Sequence, residues 1–211
     1  MPDTIAGTVI VIAKTPVAGR VKTRLTPPLT PAQASAVAWA CLTDTLAAVG
    51  RVGAQRCVLL LDGEPGAWIP DGFDVIAQRG DSLADRLAAG FAAVDDDAIV
   101  IAMDTPQVDS ESLATALRAL RHSHDAVFGP AVDGGFWLLG MRRAIDAAAV
   151  FDGIPMSTAA TGAAQLERLR SLGLSTLVLE RLRDIDTFDD VLAVAAMHSD
   201  STLGRLVATI H

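Results

Sequence analysis

A segment near the start of the chain, residues 14–25 (KTPVAGRVKTRL), concentrates positive charge. Its cations are Lys14, Arg20, Lys22 and Arg24, and Gly19 lets the backbone between them turn tightly. Lysine offers phosphate a point charge, arginine offers a planar fork, and backbone amides add further donors. A solvated basic loop would contain the same residues, but this segment directly follows a predicted buried strand in an acidic protein. We therefore predict that residues 14–25 bind the phosphates of a nucleotide.

Asp104 is a candidate ligand for a divalent metal ion. It ends the apolar run 98–103 (AIVIAM) and is followed by Thr105 and Pro106. Ligands of α/β sheets bind at the carboxyl ends of the strands, where such a side chain lies. Mg²⁺ typically takes one or two carboxylates together with substrate phosphates. A helix cap would be the alternative role, but Asp109 is better placed to cap the following helix, so we favour the metal.

The motif at residues 129–140 (GPAVDGGFWLLG) places Asp133 directly before the pair Gly134–Gly135. This pair either forms a hairpin turn or admits a ligand against the backbone, and the spacing leaves both interpretations open.

A second acidic motif, residues 184–190 (DIDTFDD), begins the last predicted helix. Asp186 and Thr187 are suited to cap that helix, with Asp189 and Asp190 in its first turn. Capping is compatible with metal binding by Asp186.

Two common nucleotide-binding signatures do not fit the sequence. A P-loop needs glycine directly before its Lys-Ser/Thr pair, but Lys22 follows Val21. A dinucleotide fingerprint needs three glycines in the first loop, where only Gly19 is present. The four histidines lack metal-ligand spacing, and the two cysteines are interpreted as buried thiols.

The composition predicts a single folded domain, residues 1–211, with 51% hydrophobic residues and a net charge of −8. Such acidity argues against a nucleic-acid partner and against anionic membrane surfaces. The apolar runs are short for a membrane span and the N-terminus lacks a basic signal region, so we expect a cytoplasmic protein. The oligomeric state is left open.

Apolar runs typical of buried strands alternate with helical patterns along the chain. The predicted strands are residues 8–13, 56–61, 73–77, 98–103, 126–128, 136–140 and 175–179. The predicted helices are residues 30–49, 82–94, 110–121, 158–172 and 187–198. This alternation predicts an α/β protein with three layers, α/β/α, around a mostly parallel central sheet.

The four motifs, in this order, resemble the bacterial GT-A glycosyltransferase-like family of the nucleotide-diphospho-sugar transferase superfamily. The family pattern is K-x-P-x-x-G-x-V-K-T-R-L, D-x-P, G-P-A-x-D-G-G-[FY] and D-[IV]-D-T-x-x-D-[LV]. The resemblance covers roughly residues 8–195. More distantly, the chain is similar to 2-phospholactate guanylyltransferase and molybdenum-cofactor guanylyltransferase.

The resemblance implies a GT-A fold and assigns roles to individual residues. Mg²⁺ or Mn²⁺ would be held by Asp104 and Asp186. A further stretch, residues 78–87, resembles the family's Q-x-G segment, and Gln78 would touch the base. With the residues of the 14–25 loop, the candidate nucleotide-binding residues are Lys14, Gly19, Lys22, Arg24, Gln78, Gly80 and Arg86. The candidate substrate-binding residues are Gly134, Gly135, Ser157 and Thr158, and the candidate catalytic residues are Asp133 and Lys22. The family often carries tryptophan where Met156 stands, which bears on the acceptor.

Three functions are compatible with these residues. The first is metal-dependent glycosyl transfer from a nucleotide sugar to a small acceptor, with Asp133 as the base. The second is nucleotidyl transfer from an NTP to a small phosphorylated acceptor with release of pyrophosphate, which the many cations favour. The third is non-catalytic nucleotide binding, which would not require both the cations and the carboxylates.

Overall fold

The computed structural model describes residues 4–210. Within these residues seven strands form one sheet in the order β3-β2-β1-β4-β6-β5-β7. The strands are β1 (Ile5–Lys14), β2 (Ala54–Asp62), β3 (Phe73–Ala77), β4 (Ala98–Ala102), β5 (Ala126–Pro130), β6 (Phe136–Met141) and β7 (Thr176–Val178). All pairings are parallel except those of β6, which runs antiparallel to both β4 and β5. The predicted mostly parallel sheet is confirmed.

Helices cover both faces of the sheet because its central strands are apolar on both sides. The helices are α1 (Pro31–Gly50), α2 (Leu83–Val94), α3 (Ser110–His122), α4 (Ala147–Phe151), α5 (Thr161–Ser171), α6 (Phe188–Met197) and α7 (Thr202–Val207). In β1, Val9 and Val11 face the core shared with α1 and α3. Ile10 faces the opposite core, shared with α2, α4 and α5. This alternation of side chains makes three layers, α/β/α, as predicted.

Two helices were not predicted from the local pattern. Helix α4 has only five residues, and α7 has six. Helix α7 begins where the Asp44 carboxylate accepts hydrogen bonds from the backbone amides of Thr202 and Leu203, both at 2.9 Å. This contact joins α7 to α1 across 158 residues of sequence, so a local pattern does not contain it.

Helix α5 starts later than predicted because residues 158–160 form a turn. The Thr158 amide donates to Thr161 Oγ1 at 3.0 Å, which closes the turn before the helix begins. No helix within residues 4–210 is long and apolar enough to cross a membrane.

The strand order places a crevice at the carboxyl ends of the central strands β1 and β4. After β1 the chain continues to β2 on one side, and after β4 it continues to β5 and then β6 on the other side. Such a reversal opens a crevice at the carboxyl ends of the two central strands. Lys14 ends β1 and Asp104 follows β4 by two residues, so both lie at these carboxyl ends.

Candidate functional site

The crevice contains two adjoining cavities that differ in charge. The first, which we call the cation lobe, has a volume of about 390 Å³ and lies beside β1 and the 14–25 loop. The second, which we call the acid lobe, has a volume of about 510 Å³ and lies beside β4 and β6. Arg24, Asp104 and Asp186 line both lobes and therefore mark their junction.

The cation lobe gathers most of the cations predicted to bind phosphate. Its lining includes Lys14, Arg20, Lys22, Arg24 and Arg86. Asp104 and Asp186 are the acidic side chains that face it. Lys14 and Arg86 approach Asp62 at 3.5 and 3.6 Å, which holds both cations at the rim of the lobe.

The Lys22 side chain is buried beside Asp104, and its ammonium group has two partners. Its Nζ lies 2.6 Å from Asp104 Oδ1 and donates to the carbonyl oxygen of Ile185. Burial alone would lower the pKa of Lys22, but the facing Asp104 carboxylate, together with Cys41 and Asp186, outweighs burial and raises the pKa above its ordinary value. Lys22 therefore stays charged, and its backbone adopts a left-handed conformation (φ 49°, ψ 38°) just before the short 3₁₀ turn.

Arg24 belongs to the same loop but is exposed. Its Nη1 lies 2.7 Å from Asp186 Oδ2. The next residue, Leu25, is completely buried and ends a short 3₁₀ turn, so it anchors this end of the loop. Lys22 and Arg24 thus pair with Asp104 and Asp186, the two aspartates that the family resemblance assigns to the metal.

The acid lobe holds a group of three carboxylates. Oxygens of Asp133, Asp184 and Asp186 lie within 4.8 Å of one another. Partial burial, reinforced by the neighbouring Asp133 carboxylate, raises the pKa of Asp184 to about 6. Like charges at this distance disfavour one another, so the group is well suited to a divalent cation, whose preferred ligands are hard oxygens.

Sequence reasoning missed Asp184 as a site residue. In an extended segment, alternate side chains point to the same side, and here Ile185 is completely buried between two half-exposed aspartates. The alternation D-I-D in residues 184–186 is the signal that could have identified it.

Backbone contacts of Ile185 hold the three site segments together. The Ile185 amide donates to the carbonyl oxygen of Asp104 at 3.0 Å, and its own carbonyl accepts from Lys22. Segments that are more than 80 residues apart in sequence therefore meet at one point. The positions of Lys22, Asp104 and Asp186 depend on each other.

The Gly134–Gly135 pair forms a hairpin turn between β5 and β6, one of the two roles that the sequence left open, and packs against the start of α5. Gly134 has φ +92°, and a Cβ there would lie 2.2 Å from the Ala159 carbonyl oxygen. The Gly162 amide donates to the Gly134 carbonyl at 2.8 Å. Gly135 lines the acid lobe and Gly134 does not, so packing alone explains the glycine at position 134.

The other residues predicted to bind nucleotide differ in their placement. Gln78 lines the cation lobe, but its Nε2 donates to the carbonyls of Ala13 and Leu60, at 2.8 and 3.1 Å. Gly19 and Gly80 line neither lobe. A Cβ at Gly80 would lie 2.4 Å from that of Asp85, so this glycine is required by the start of α2.

The predicted substrate-binding residues Ser157 and Thr158 line the acid lobe next to Met156. Thr105 lines the same lobe. It is only 1% exposed, and its hydroxyl has no hydrogen-bond partner among the described residues.

Comparison with known proteins places this chain in a family. The model of a bacterial family described as "Uncharacterized protein conserved in bacteria (DUF2064)" matches residues 38–158, which is more than half of the chain. The chain belongs to this family. No protein of curated function matches the sequence.

Solved structures share the fold over nearly the whole chain. A proposed nucleotide-diphospho-sugar transferase from Desulfovibrio desulfuricans G20 is 27% identical, with a TM-score of 0.88 over 96% of this chain and 94% of that one. A 2-C-methyl-D-erythritol 4-phosphate cytidylyltransferase from Thermus thermophilus is 19% identical, with a TM-score of 0.58 and coverage of 90% and 97%. A Mycobacterium tuberculosis H37Rv protein in complex with manganese is 20% identical, with a TM-score of 0.53 and coverage of 90% and 98%. These likenesses agree with the predicted nucleotide-diphospho-sugar transferase fold.

Proposed function

We propose that this member of the family is a metal-dependent transferase that moves a glycosyl group from a nucleotide sugar to a small acceptor. The observation that carries the proposal is the convergence of Lys22 with Asp104 and of Arg24 with Asp186 where the two lobes meet. A nucleotide diphosphate bound with a divalent cation needs both kinds of group at one place, since phosphate pairs with the cations and the metal with carboxylates.

The donor would lie with its phosphates toward the cation lobe. Lys22 and Arg24 would exchange their aspartate partners for phosphate oxygens, which frees those carboxylates for the metal. Lys14 and Arg86 would extend the contact along the phosphates, and Gln78, which lines the same lobe, would lie near the base. The likeness to a proposed nucleotide-diphospho-sugar transferase supports this donor class.

The carboxylates fit a divalent cation, Mg²⁺ or Mn²⁺. Asp186 and Asp184 share one side of an extended segment, and Asp104 becomes available once Lys22 binds phosphate. A protein of the same fold binds manganese, which is consistent with this assignment. When bound, the metal stabilises the negative charge on the leaving diphosphate.

Asp133 is the proposed base. Its carboxylate is exposed to the acid lobe, and its Oδ1 accepts from the Gly135 amide at 2.7 Å, which fixes its orientation. It would take the proton of the acceptor hydroxyl while the new C–O bond forms and the bond to the diphosphate breaks. The diphosphate leaves with the electron pair of that bond and is held by Lys22 and Arg24.

Nucleotidyl transfer is the second candidate. The five cations of the cation lobe favour it, because a triphosphate carries more negative charge than a diphosphate sugar. The fold likeness to a cytidylyltransferase is compatible with it. The products separate the two reactions: glycosyl transfer releases a nucleoside diphosphate, whereas nucleotidyl transfer releases pyrophosphate.

A thermal-shift panel of NTPs and nucleotide sugars, each with and without Mg²⁺ or Mn²⁺, tests the proposal. A ligand at a hundredfold excess over its Kd stabilises the protein by about 2.7 kcal/mol, which for a chain of this size raises Tm by about 5–11 °C. We expect the largest shift with a nucleotide sugar and metal together. A panel in which no nucleotide shifts Tm with either metal would refute the proposed function.

A further inference from the structure

The two lobes present opposite charges to whatever binds in them. Four carboxylates line the acid lobe: those of Asp104, Asp133, Asp184 and Asp186. Arg24 is the only cationic side chain among its described lining residues, and it is already paired with Asp186. Even with one divalent cation bound, the lobe offers no free positive charge to a second anion.

The inner wall of the acid lobe is apolar. Leu87, Val100 and Trp137 are buried and line it, together with the half-buried Phe136 and Met156. The indole nitrogen of Trp137 already donates to the Glu180 carbonyl at 3.1 Å, so its ring offers the lobe an apolar surface. Such a wall favours a ligand with an apolar body.

Thr105 supplies an independent sign of a polar ligand. Its hydroxyl is buried in the wall of the acid lobe and has no partner among residues 4–210. Buried polar groups are nearly always hydrogen-bonded, and leaving one unpaired is costly. A hydroxyl group can both donate and accept, so rotation of the Thr105 side chain toward the lobe would let a neutral hydroxyl or amide of a ligand satisfy it.

We propose that the acid lobe is an acceptor site for an unphosphorylated compound, neutral or cationic, whose apolar body lies on the Phe136–Trp137 wall and whose polar group bonds the Thr105 hydroxyl. This inference rests on the proposed function and narrows it. The phosphorylated acceptor of the second candidate reaction would face four carboxylates without a cation of its own. The lobe therefore favours an acceptor that offers a hydroxyl group, as in the proposed glycosyl transfer.

The first test compares three probes that share a hexyl chain and differ in their head group: hexyltrimethylammonium, hexyl glucoside and hexyl phosphate. Each is titrated by ligand-observed NMR into the full chain saturated with Mn²⁺ and inorganic pyrophosphate, which occupy the metal site and the cation lobe. We expect the cationic and neutral probes to bind at least about tenfold more tightly than hexyl phosphate, with proton relaxation enhanced by Mn²⁺. Equal or tighter binding of hexyl phosphate would overturn the inference, as would failure of all three probes to bind.

The binding of Mn²⁺ and of pyrophosphate is measured separately by calorimetry. If these two do not bind, the proposed function fails, whereas the ranking of the probes by the protein alone still tests the charge of the acid lobe.

The second test substitutes Thr105→Val, which keeps the shape of the side chain and removes the hydroxyl. Thr45→Val is the matched control, because Thr45 is also fully buried with an unpartnered hydroxyl but lies in α1, away from both lobes. Both variants should keep or raise Tm, since each removes an unpaired buried group. Only Thr105→Val should weaken hexyl glucoside, by about three- to tenfold, the loss of one neutral hydrogen bond. Equal affinity in the two variants would remove Thr105 from the acceptor site.

Discussion

Arg24→Ala should weaken nucleotide binding and strengthen metal binding in the absence of nucleotide. In the free protein, Arg24 Nη1 lies 2.7 Å from Asp186 Oδ2, so the guanidinium competes with a metal ion for this carboxylate. If nucleotide binding transfers Arg24 to a donor phosphate, the variant loses that contact. It also leaves Asp186 free for the metal, so the two affinities should change in opposite directions.

The magnitudes follow from the exposure of the pair. Arg24 and Asp186 are 72% and 39% exposed, so their ion pair contributes only about 0–1 kcal/mol. A charged hydrogen bond to phosphate contributes about 1.5–3 kcal/mol, and breaking the ion pair offsets part of it. The expected net loss is about 1–2.5 kcal/mol, or roughly five- to seventyfold in nucleotide Kd. Mn²⁺ alone should bind up to about fivefold more tightly.

Calorimetric titrations of Mn²⁺ and of Mn²⁺-nucleotide provide both affinities, and a thermal melt without ligand provides Tm. Arg118→Ala is the control, because Arg118 is 51% exposed and pairs with Glu111 at 2.9 Å on the outer surface of α3. Arg24→Lys should recover only part of the nucleotide affinity, since an ammonium cannot replace a two-pronged contact. Unchanged nucleotide affinity in Arg24→Ala would refute the phosphate role. A large fall in Tm would show that Arg24 is a structural residue instead.

Three further predictions follow from the site and its scaffold. Asp133→Asn should lower the turnover rate at least about a hundredfold, as expected for general-base catalysis, while reducing Mn²⁺ affinity much less than Asp186→Asn does; an equal loss of Mn²⁺ affinity in the two variants would make Asp133 a metal ligand instead. Gly134→Ala should lower Tm, because its Cβ would meet the Ala159 carbonyl oxygen at 2.2 Å, and an unchanged Tm would contradict the packing described. The hydrogen bond from the Ser112 amide lowers the pKa of Asp109, so this cap stabilises the fold above the ordinary aspartate pKa and loses that effect as pH falls through the lowered value. Asp109→Asn should therefore reduce the loss of stability between about pH 5 and 3, measured by denaturant unfolding.

The central strands could be predicted because their burial dominates their sequence. Residues 98–103 form a continuous apolar run, and strand β4 occupies Ala98–Ala102. Strand β1 likewise covers the predicted run and extends beyond it at both ends. A strand buried on both faces is a continuous apolar run, so it can be recognised in the sequence without knowing which strands lie beside it. The order of the strands follows from pairing over long distances, and the antiparallel position of β6 between β4 and β5 has no local signature.

Several residues of the candidate site could be named from the sequence, but the contacts between them could not. Sequence spacing placed Lys22, Arg24 and Asp104 at the carboxyl edge of the sheet. It did not predict that each cation would pair with an aspartate, because these pairs join segments 82 and more than 160 residues apart. The hydrogen bonds of Ile185 to two other segments likewise depend on the assembled fold.

The choice between the two transfer reactions depends on the acid lobe rather than on the cation lobe. Lys22 and Arg24 would serve a diphosphate and a triphosphate alike, so the cations that first indicated a nucleotide do not separate the donors. The proposed acceptors differ more sharply, since the second candidate reaction places a phosphorylated acceptor beside the metal, whereas glycosyl transfer needs only a hydroxyl group. In the acid lobe that position faces Asp133 and Asp184, and Thr105 offers a neutral partner. Electrostatic complementarity penalises like charges that face each other, so the proposed acceptor site favours a hydroxyl compound over a phosphorylated one.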